Sequence, residues 1–257
     1  MDRSQTHRLP TPPASAASHV PSTASIGTRT SALPTPRLHR LQPGSQKEIA
    51  LINYLDDRIL KITRRYAKKF SHEGPEKDDT PGYTTYDQFV VDVDPLVDVV
   101  WISGTPTIQI PYLLSLAGLA CSYLQAFPFS TSVFALTSKI DQGFATLLQP
   151  PENGPSSVAI PYHVSMTDKV RIKSLIEETR VAAVNAASGS GHDARIHDLS
   201  ETETEDDEKD TEEDDEGEDL PQNMSISLGL SRIFKRTLEI LGDSLVADVP
   251  PQAQDND

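Results

Sequence analysis

The first apolar pattern in the chain predicts a long amphipathic helix that starts near residue 45. Ser45 and Glu48 have the spacing of a capping box, in which each side chain bonds to the other residue's backbone N–H. Apolar residues then recur at intervals of three and four, as on one helix face or a seam for a partner helix: Ile52, Leu55, Ile59, Ile62 and Tyr66. Gly74-Pro75 lies beyond the expected end.

Two further helices, separated at a proline, are predicted next. Thr84 or Thr85 would cap a short helix that runs to Val93. Asp94 then precedes Pro95, and this pair in the N-cap and first helical positions predicts a new helix that stops at Gly104. The new helix contains several β-branched residues, which leaves a strand as the alternative.

The central part of the chain is uncharged from residue 99 to residue 138, and residues 108–127 are mostly apolar. Pro111 is predicted to open a helix there. A helix that is apolar on every side is either a core helix or a membrane span. We favour the core helix because polar residues interrupt the run and no basic cluster flanks it closely. A membrane-associated protein that uses 108–127 is the alternative, and an exposed binding surface is a third interpretation.

Three more helices complete the pattern. Ser130 or Thr131 would cap the first, and Ser165, three residues before Asp168, would cap the second, which ends at Gly189. The third extends from Ser225 to about residue 245. The predicted fold class is therefore all-α, a single helical bundle of about five to seven helices.

Composition then divides the chain into segments. The net charge is −15, and residues 201–219 alone contain 14 acidic residues, whereas residues 1–44 contain seven prolines and twelve serines or threonines. Such segments bury too little apolar area to offset their conformational entropy. We predict a disordered tail over 1–44, a helical domain over 45–189, a disordered acidic linker over 190–222, a helix over 223–247 that packs back on the domain, and a disordered tail over 248–257.

The predicted disordered segments contain candidate phosphorylation sites. Thr11 and Thr35 stand in a repeated Leu-Pro-Thr-Pro element that suits a proline-directed kinase, and four residues have an acid three positions later: Ser200, Thr202, Thr204 and Thr211. Each phosphate would add about −1.5 to −2 charge. No apolar run follows the start of the chain, so we expect an intracellular protein of the nucleus or cytoplasm that is not secreted.

Three common catalytic motifs are missing from the sequence. No Gly is followed by Lys, which excludes a Walker A loop, and neither G-x-S-x-G nor H-E-x-x-H occurs. The single cysteine, Cys121, lies in the most apolar segment, where packing is its expected role. We therefore predict no enzyme, no cofactor and no catalytic or metal-binding residue.

The strongest local charge feature is a cluster of six cations in the second half of the first helix: Arg58, Lys61, Arg64, Arg65, Lys68 and Lys69. One interpretation is a solvated face that complements the helix dipole. A second is a contact patch for an acidic protein, and a third is contact with nucleic acid or anionic lipid. The fourth is internal: the acidic linker folds back on this helix in a salt-sensitive contact.

Three stretches, Ile52 to Asp56, Arg64 to Phe70 and Asp94 to Trp101, resemble a family of small filamentous-fungal helical proteins, some of which are labelled meiotic recombination proteins of the Dmc type. The resemblance covers about residues 46–187. A recombinase needs an ATP site, so the resemblance implies an accessory role. The sequence thus predicts a non-enzymatic protein–protein interaction module, an adaptor or accessory factor in a nuclear process such as meiotic recombination, with an unknown protein partner.

Overall fold

Seven helices form the computed structural model, which describes residues 32–70, 80–149, 163–192 and 222–247. In chain order they are α1 (Gln46–Ala67), α2 (Tyr86–Ile102), α3 (Pro106–Leu124), α4 (Ser132–Leu148), α5 (Met166–Gly189), α6 (Gln222–Arg232) and α7 (Lys235–Ala247). These ranges contain no β-strand, so the predicted all-α fold is confirmed.

Helix α3 lies at the centre, in contact with α2, α4 and α5. Its length and composition would suffice to cross a membrane, and 61% of its most apolar 18-residue window is buried inside the protein. Leu113 and Leu116 are fully buried, and even Gln109 is enclosed, with its amide donating to the Trp101 carbonyl at 2.9 Å. This burial is the arrangement that the core-helix interpretation predicts.

Helix α2 continues through Pro95, so the prediction that Asp94 caps a new helix is wrong, as is the strand alternative. Side chains on both sides of the proline are buried, including Val93 before it and Val97 after it. An interior proline costs about 3 kcal/mol. Burial of this continuous apolar face outweighs that cost, because each fully buried valine or leucine contributes about 1.5–3 kcal/mol.

Helix α3 begins at Pro106 rather than at Pro111, which lies inside the helix. Proline in the first turn gives up no intrahelical hydrogen bond, which makes Pro106 the better start. Thr105 occupies the N-cap position without capping the helix through its side chain. Its hydroxyl instead accepts from the backbone N–H of Leu41 at 2.9 Å.

Residues 32–44, predicted to be disordered, form an extended segment packed against the bundle. Leu41 is buried, and the Arg37 N–H donates to the Ile102 carbonyl at 3.2 Å. Gly104 permits this approach, since it adopts φ +57° and a Cβ there would lie 2.7 Å from the Arg37 carbonyl oxygen. The predicted tail boundary at residue 44 is therefore too late, while residues 1–31 lie outside the described part of the chain.

The C-terminal segment forms two helices where one was predicted. The break lies between α6 and α7, where Phe234 adopts φ +53° in the left-handed region. Both helices pack against α4 and α5. Arg180 of α5 donates to the carbonyls of Ser231 (3.3 Å) and Ile233 (2.7 Å), which satisfies backbone acceptors around the end of α6.

Candidate functional site

Helix α1 is held to the bundle on one side, chiefly by α2. Its start is the predicted one: Ser45 Oγ accepts from the Glu48 N–H at 3.2 Å, although Glu48 reaches back to the N–H of Gly44 rather than to that of Ser45. Only Leu55 and Ile62 of α1 are fully buried. Most of the helix surface, including much of its cationic second half, therefore remains open to solvent.

A cleft of about 320 Å³ lies where the second half of α1 meets α2 and the segment that precedes α2. It is lined by five cations, Arg58, Lys61, Arg64, Arg65 and Lys68, by the carboxylate of Asp92, and by Ile62, Thr80 and Leu96. The structure thus brings five of the six predicted cations to one concave surface, which we call the basic cleft. Lys69 does not line it.

Arg65 bonds to other residues of the cleft and is not directed at an external ligand. Its guanidinium donates to Asp92 Oδ2 at 2.8 Å and to the Pro81 carbonyl at 3.0 Å, and lies 4.5 Å from the centre of the Tyr83 ring. Tyr83 also donates to Asp92 Oδ2, at 2.7 Å. Burial and then this hydrogen bond raise the pKa of Tyr83 far above its usual range, so the hydroxyl remains a donor. Asp92 is the one carboxylate that lines the cleft among the described residues, and it is therefore paired within the protein.

Two more cations, Lys68 and Lys69, make contacts that hold the C-terminal end of α1 in place. Lys68 Nζ donates to the Thr80 carbonyl at 3.1 Å, and Lys69 Nζ lies 4.4 Å from the centre of the Phe127 ring. The backbone here is close-packed, because a Cβ on Gly82 would lie 2.8 Å from the Lys69 nitrogen. Lys68 and Lys69 therefore help to hold the end of α1 against its neighbours.

The remaining three cations are directed outward. Arg58 stacks over Tyr54, with 5.2 Å between the guanidinium carbon and the ring centre. Lys61 bonds to Asp57 at 2.8 Å, which lowers the pKa of Asp57, but both side chains are more than half exposed. Arg64 is exposed, and the described residues give its guanidinium no ion pair. Arg58, Lys61 and Arg64, which we call the outer cations, can recognise an anionic group.

The side chains of the cleft can supply charge recognition. Asp92, the carboxylate among the described residues of the cleft, already accepts from Arg65 and Tyr83, so it is not free to act as a general base. Within the described ranges no group of three or more His, Cys, Asp or Glu residues could hold a metal ion. Cys121 is buried, which raises the pKa of its thiol and agrees with a packing role.

Some predicted site residues fall outside the described structure. Of the candidate phosphorylation sites, Thr35 is exposed in the extended segment before α1. Thr11, Ser200, Thr202, Thr204 and Thr211 lie outside the described residues, as does the acidic run at 201–219. Tyr83 and Asp92, the partners of Arg65, were not among the predicted site residues. No periodic signal links Asp92 to a cation 27 positions earlier.

One comparison with known proteins places the chain in a family. The model of the TFB6 family, described as subunit 11 of the general transcription factor TFIIH, matches residues 82–242. No curated protein and no solved structure gives a match. The matched range includes Tyr83 and Asp92 and runs from α2 into α7, whereas α1 precedes it. Because the match covers more than half of the sequence, the chain belongs to the family of subunit 11 of the general transcription factor TFIIH.

Proposed function

We propose that this protein is a non-enzymatic accessory subunit of a nuclear transcription factor complex of the TFIIH type. The observation that carries the proposal is the family match, which spans α2 through α6 and most of α7. A subunit of such a complex acts through contacts with other proteins. A helical bundle with a concave, charged surface suits that role, and its expected compartment is the nucleus.

The more specific assignment to meiosis stays a prediction. The matched family is named for a transcription factor and does not test the resemblance to proteins labelled as meiotic recombination factors. Both assignments share the accessory role. Membrane association through residues 108–127 would require α3 to leave α2, α4 and α5, with which it buries twelve of its nineteen residues.

We assign the contact with a protein partner to the outer cations, Arg58, Lys61 and Arg64. They are the members of the predicted cluster that the fold does not use to attach α1 to α2. Exposed arginine can pair in a bidentate manner with a carboxylate or phosphate on a partner, which favours an acidic surface. The predicted partner contact thereby narrows from six residues to three.

Affinity purification tests the assembly. The chain, tagged and expressed at its native level in the source organism, is purified from nuclease-treated nuclear extract without detergent, and co-eluting proteins are quantified by mass spectrometry. We expect TFIIH subunits in amounts stoichiometric with the tagged chain. Their absence from the wild-type eluate would overturn the proposed complex.

Charge reversal tests the contact surface. Arg58→Glu/Arg64→Glu should lower recovery of the partner at least tenfold, because it replaces attraction with repulsion at the outer cations. Lys47→Glu/Arg171→Glu is the matched control, since it makes the same charge change at exposed positions outside the cleft. Equal recovery with both double variants would contradict the assignment of the surface and leave the assembly itself standing.

A further inference from the structure

We infer that the acidic run of this chain, residues 201–219, binds in the basic cleft between α1 and α2. The inference concerns the regulation of the contact surface proposed above and rests on that surface. It requires only the chain itself, however, and no other subunit. If it holds, an acidic partner must displace the run before it can reach Arg58, Lys61 and Arg64.

Charge complementarity is the first argument. The run contains 14 carboxylates and one lysine. The described residues that line the cleft include five cations and one carboxylate, Asp92, which is already paired. A single exposed ion pair contributes little. A run with so many carboxylates can pair with several of the outer cations at once. Solvent screens these ion pairs less in a concave surface than on an open one. An extended acidic peptide is therefore the ligand class that the cleft fits best.

The position at which the chain leaves the bundle is the second argument. After α5 the backbone lies against the turn between α3 and α4, where the Phe129 N–H donates to Ser190 Oγ at 2.9 Å. The His192 ring is 5.8 Å from that of Phe129. Phe127, two residues earlier, lies against Lys69 at the end of α1. The described residues that precede the acidic run thus end close to the end of α1 that borders the cleft.

The length of the connecting chain permits the contact. Residue 201 is nine positions beyond His192, and an extended chain spans at most ~3.3–3.6 Å per residue, so this stretch reaches roughly 30 Å. The whole connection from His192 to Gln222 can extend roughly 100 Å, which leaves room to enter the cleft and return to α6. A tethered ligand of this kind has an effective concentration on the order of millimolar, which favours it over a free acidic peptide.

The test is a competition between the tethered run and the same sequence supplied in solution. The probe is a fluorescein-labelled peptide of residues 201–219, and its binding is measured by anisotropy at 50 mM NaCl. The receptors are the full chain and a neutral-run variant, in which all Asp and Glu of 201–219 become Asn and Gln. We expect the peptide to bind the neutral-run variant at least tenfold more tightly, and the difference to vanish at 500 mM NaCl.

Variants of the cleft decide where the peptide binds. On the neutral-run background, Arg58→Glu/Arg64→Glu should weaken binding at least tenfold, and Lys47→Glu/Arg171→Glu should leave it within about twofold. Circular dichroism and the thermal midpoint of each variant confirm that the fold is intact. These substitutions replace exposed side chains, so we expect both readouts to match those of the neutral-run protein.

The inference would be overturned if the full chain and the neutral-run variant bound the peptide with equal affinity, or if Arg58→Glu/Arg64→Glu left the peptide affinity unchanged. It would also be overturned if the neutral-run variant bound a labelled DNA duplex more tightly than the peptide. This last result would reassign the cleft to nucleic acid. Because the assay uses the purified chain alone, its failure is distinguishable from a failure to co-purify TFIIH subunits.

Discussion

A buried carboxylate on α4, that of Asp141, caps the start of α7 from outside that helix. Its Oδ1 accepts from the Thr237 N–H at 2.9 Å and from the Thr237 hydroxyl at 2.6 Å, and its Oδ2 accepts from the Arg236 N–H at 3.3 Å. Asp141 is 3% exposed and Thr237 is completely buried. Since water cannot replace these bonds, Asp141→Ala should destabilise the protein strongly.

The magnitude follows from the groups that Asp141→Ala leaves unpaired. Two backbone N–H groups in the first turn of α7 lose their acceptor. Each one that remains buried without a partner lowers the free energy of unfolding by about 1–3 kcal/mol. The variant also loses the attraction between the negative charge and the N-terminus of α7, which stabilises a partly buried helix by at most ~2 kcal/mol. The Thr237 hydroxyl keeps a bond to the Asp141 carbonyl at 3.2 Å. We expect a loss of about 3–4 kcal/mol for Asp141→Ala, and about 1–2 kcal/mol for Asp141→Asn, which retains one acceptor oxygen.

Urea unfolding followed by circular dichroism measures these losses, and hydrogen exchange of the α7 amides locates them. Glu177→Ala on α5 is the control: its pair with Lys173 spans 3.9 Å with the carboxylate side chain 58% exposed, so a change within about 0.5 kcal/mol is expected. A loss below about 1 kcal/mol for Asp141→Ala, or unchanged protection of α7, would refute the capping role.

Two further predictions concern the packing of α4 and of helical glycines. The Lys139 side chain is 3% exposed and lies between Asp94 (3.0 Å, 22% exposed) and Asp98 (2.8 Å, 33% exposed). Asp94→Asn/Asp98→Asn should lower the free energy of unfolding by about 3–5 kcal/mol and Lys139→Met distinctly less, because the first leaves a buried charge unpaired whereas the second leaves carboxylates that are partly exposed. Equal losses in urea unfolding would contradict this asymmetry. Gly229→Ala should lower the free energy of unfolding by about 1–2 kcal/mol, because the new Cβ would lie 2.5 Å from the Phe134 ring of α4. Gly118→Ala in α3 should raise the free energy of unfolding by about 0.5–1 kcal/mol, because no atom lies within 4 Å of its Cβ. Thermal melts in which both midpoints move in the same direction would contradict this pair of predictions.

Local patterns predicted most of the helices because local bonds fix their ends. Ser165 caps α5 as expected, accepting from the Asp168 N–H at 3.1 Å, just as Ser45 caps α1. Two prolines lie inside helices that they were predicted to start, and the reason is tertiary packing. Pro95 and Pro111 are read locally as helix starts, but α2 and α3 gain more by continuing a buried face than by stopping.

The extended segment before α1 was missed for a similar reason. Residues 32–44 have the composition of a disordered tail, yet Leu41 is buried and backbone bonds join the segment to Thr105 and Ile102. Composition reports the average hydrophobicity of a segment. It does not register that two leucines, Leu33 and Leu41, and a few hydrogen bonds from backbone N–H groups meet a complementary surface that distant residues create.

The six cations in the second half of α1 and the two residues after it were found from charge spacing alone, but their division into two roles required the structure. Arg65, Lys68 and Lys69 attach a helix that buries few side chains of its own, whereas the outer cations are open to solvent. Arg65→Glu would place a carboxylate beside Asp92 and remove the bond to Pro81, so it would detach α1 as well as change its charge. A loss of partner binding in Arg65→Glu therefore cannot separate recognition from unfolding. Substitutions at Arg58 and Arg64 can, because neither side chain joins α1 to α2.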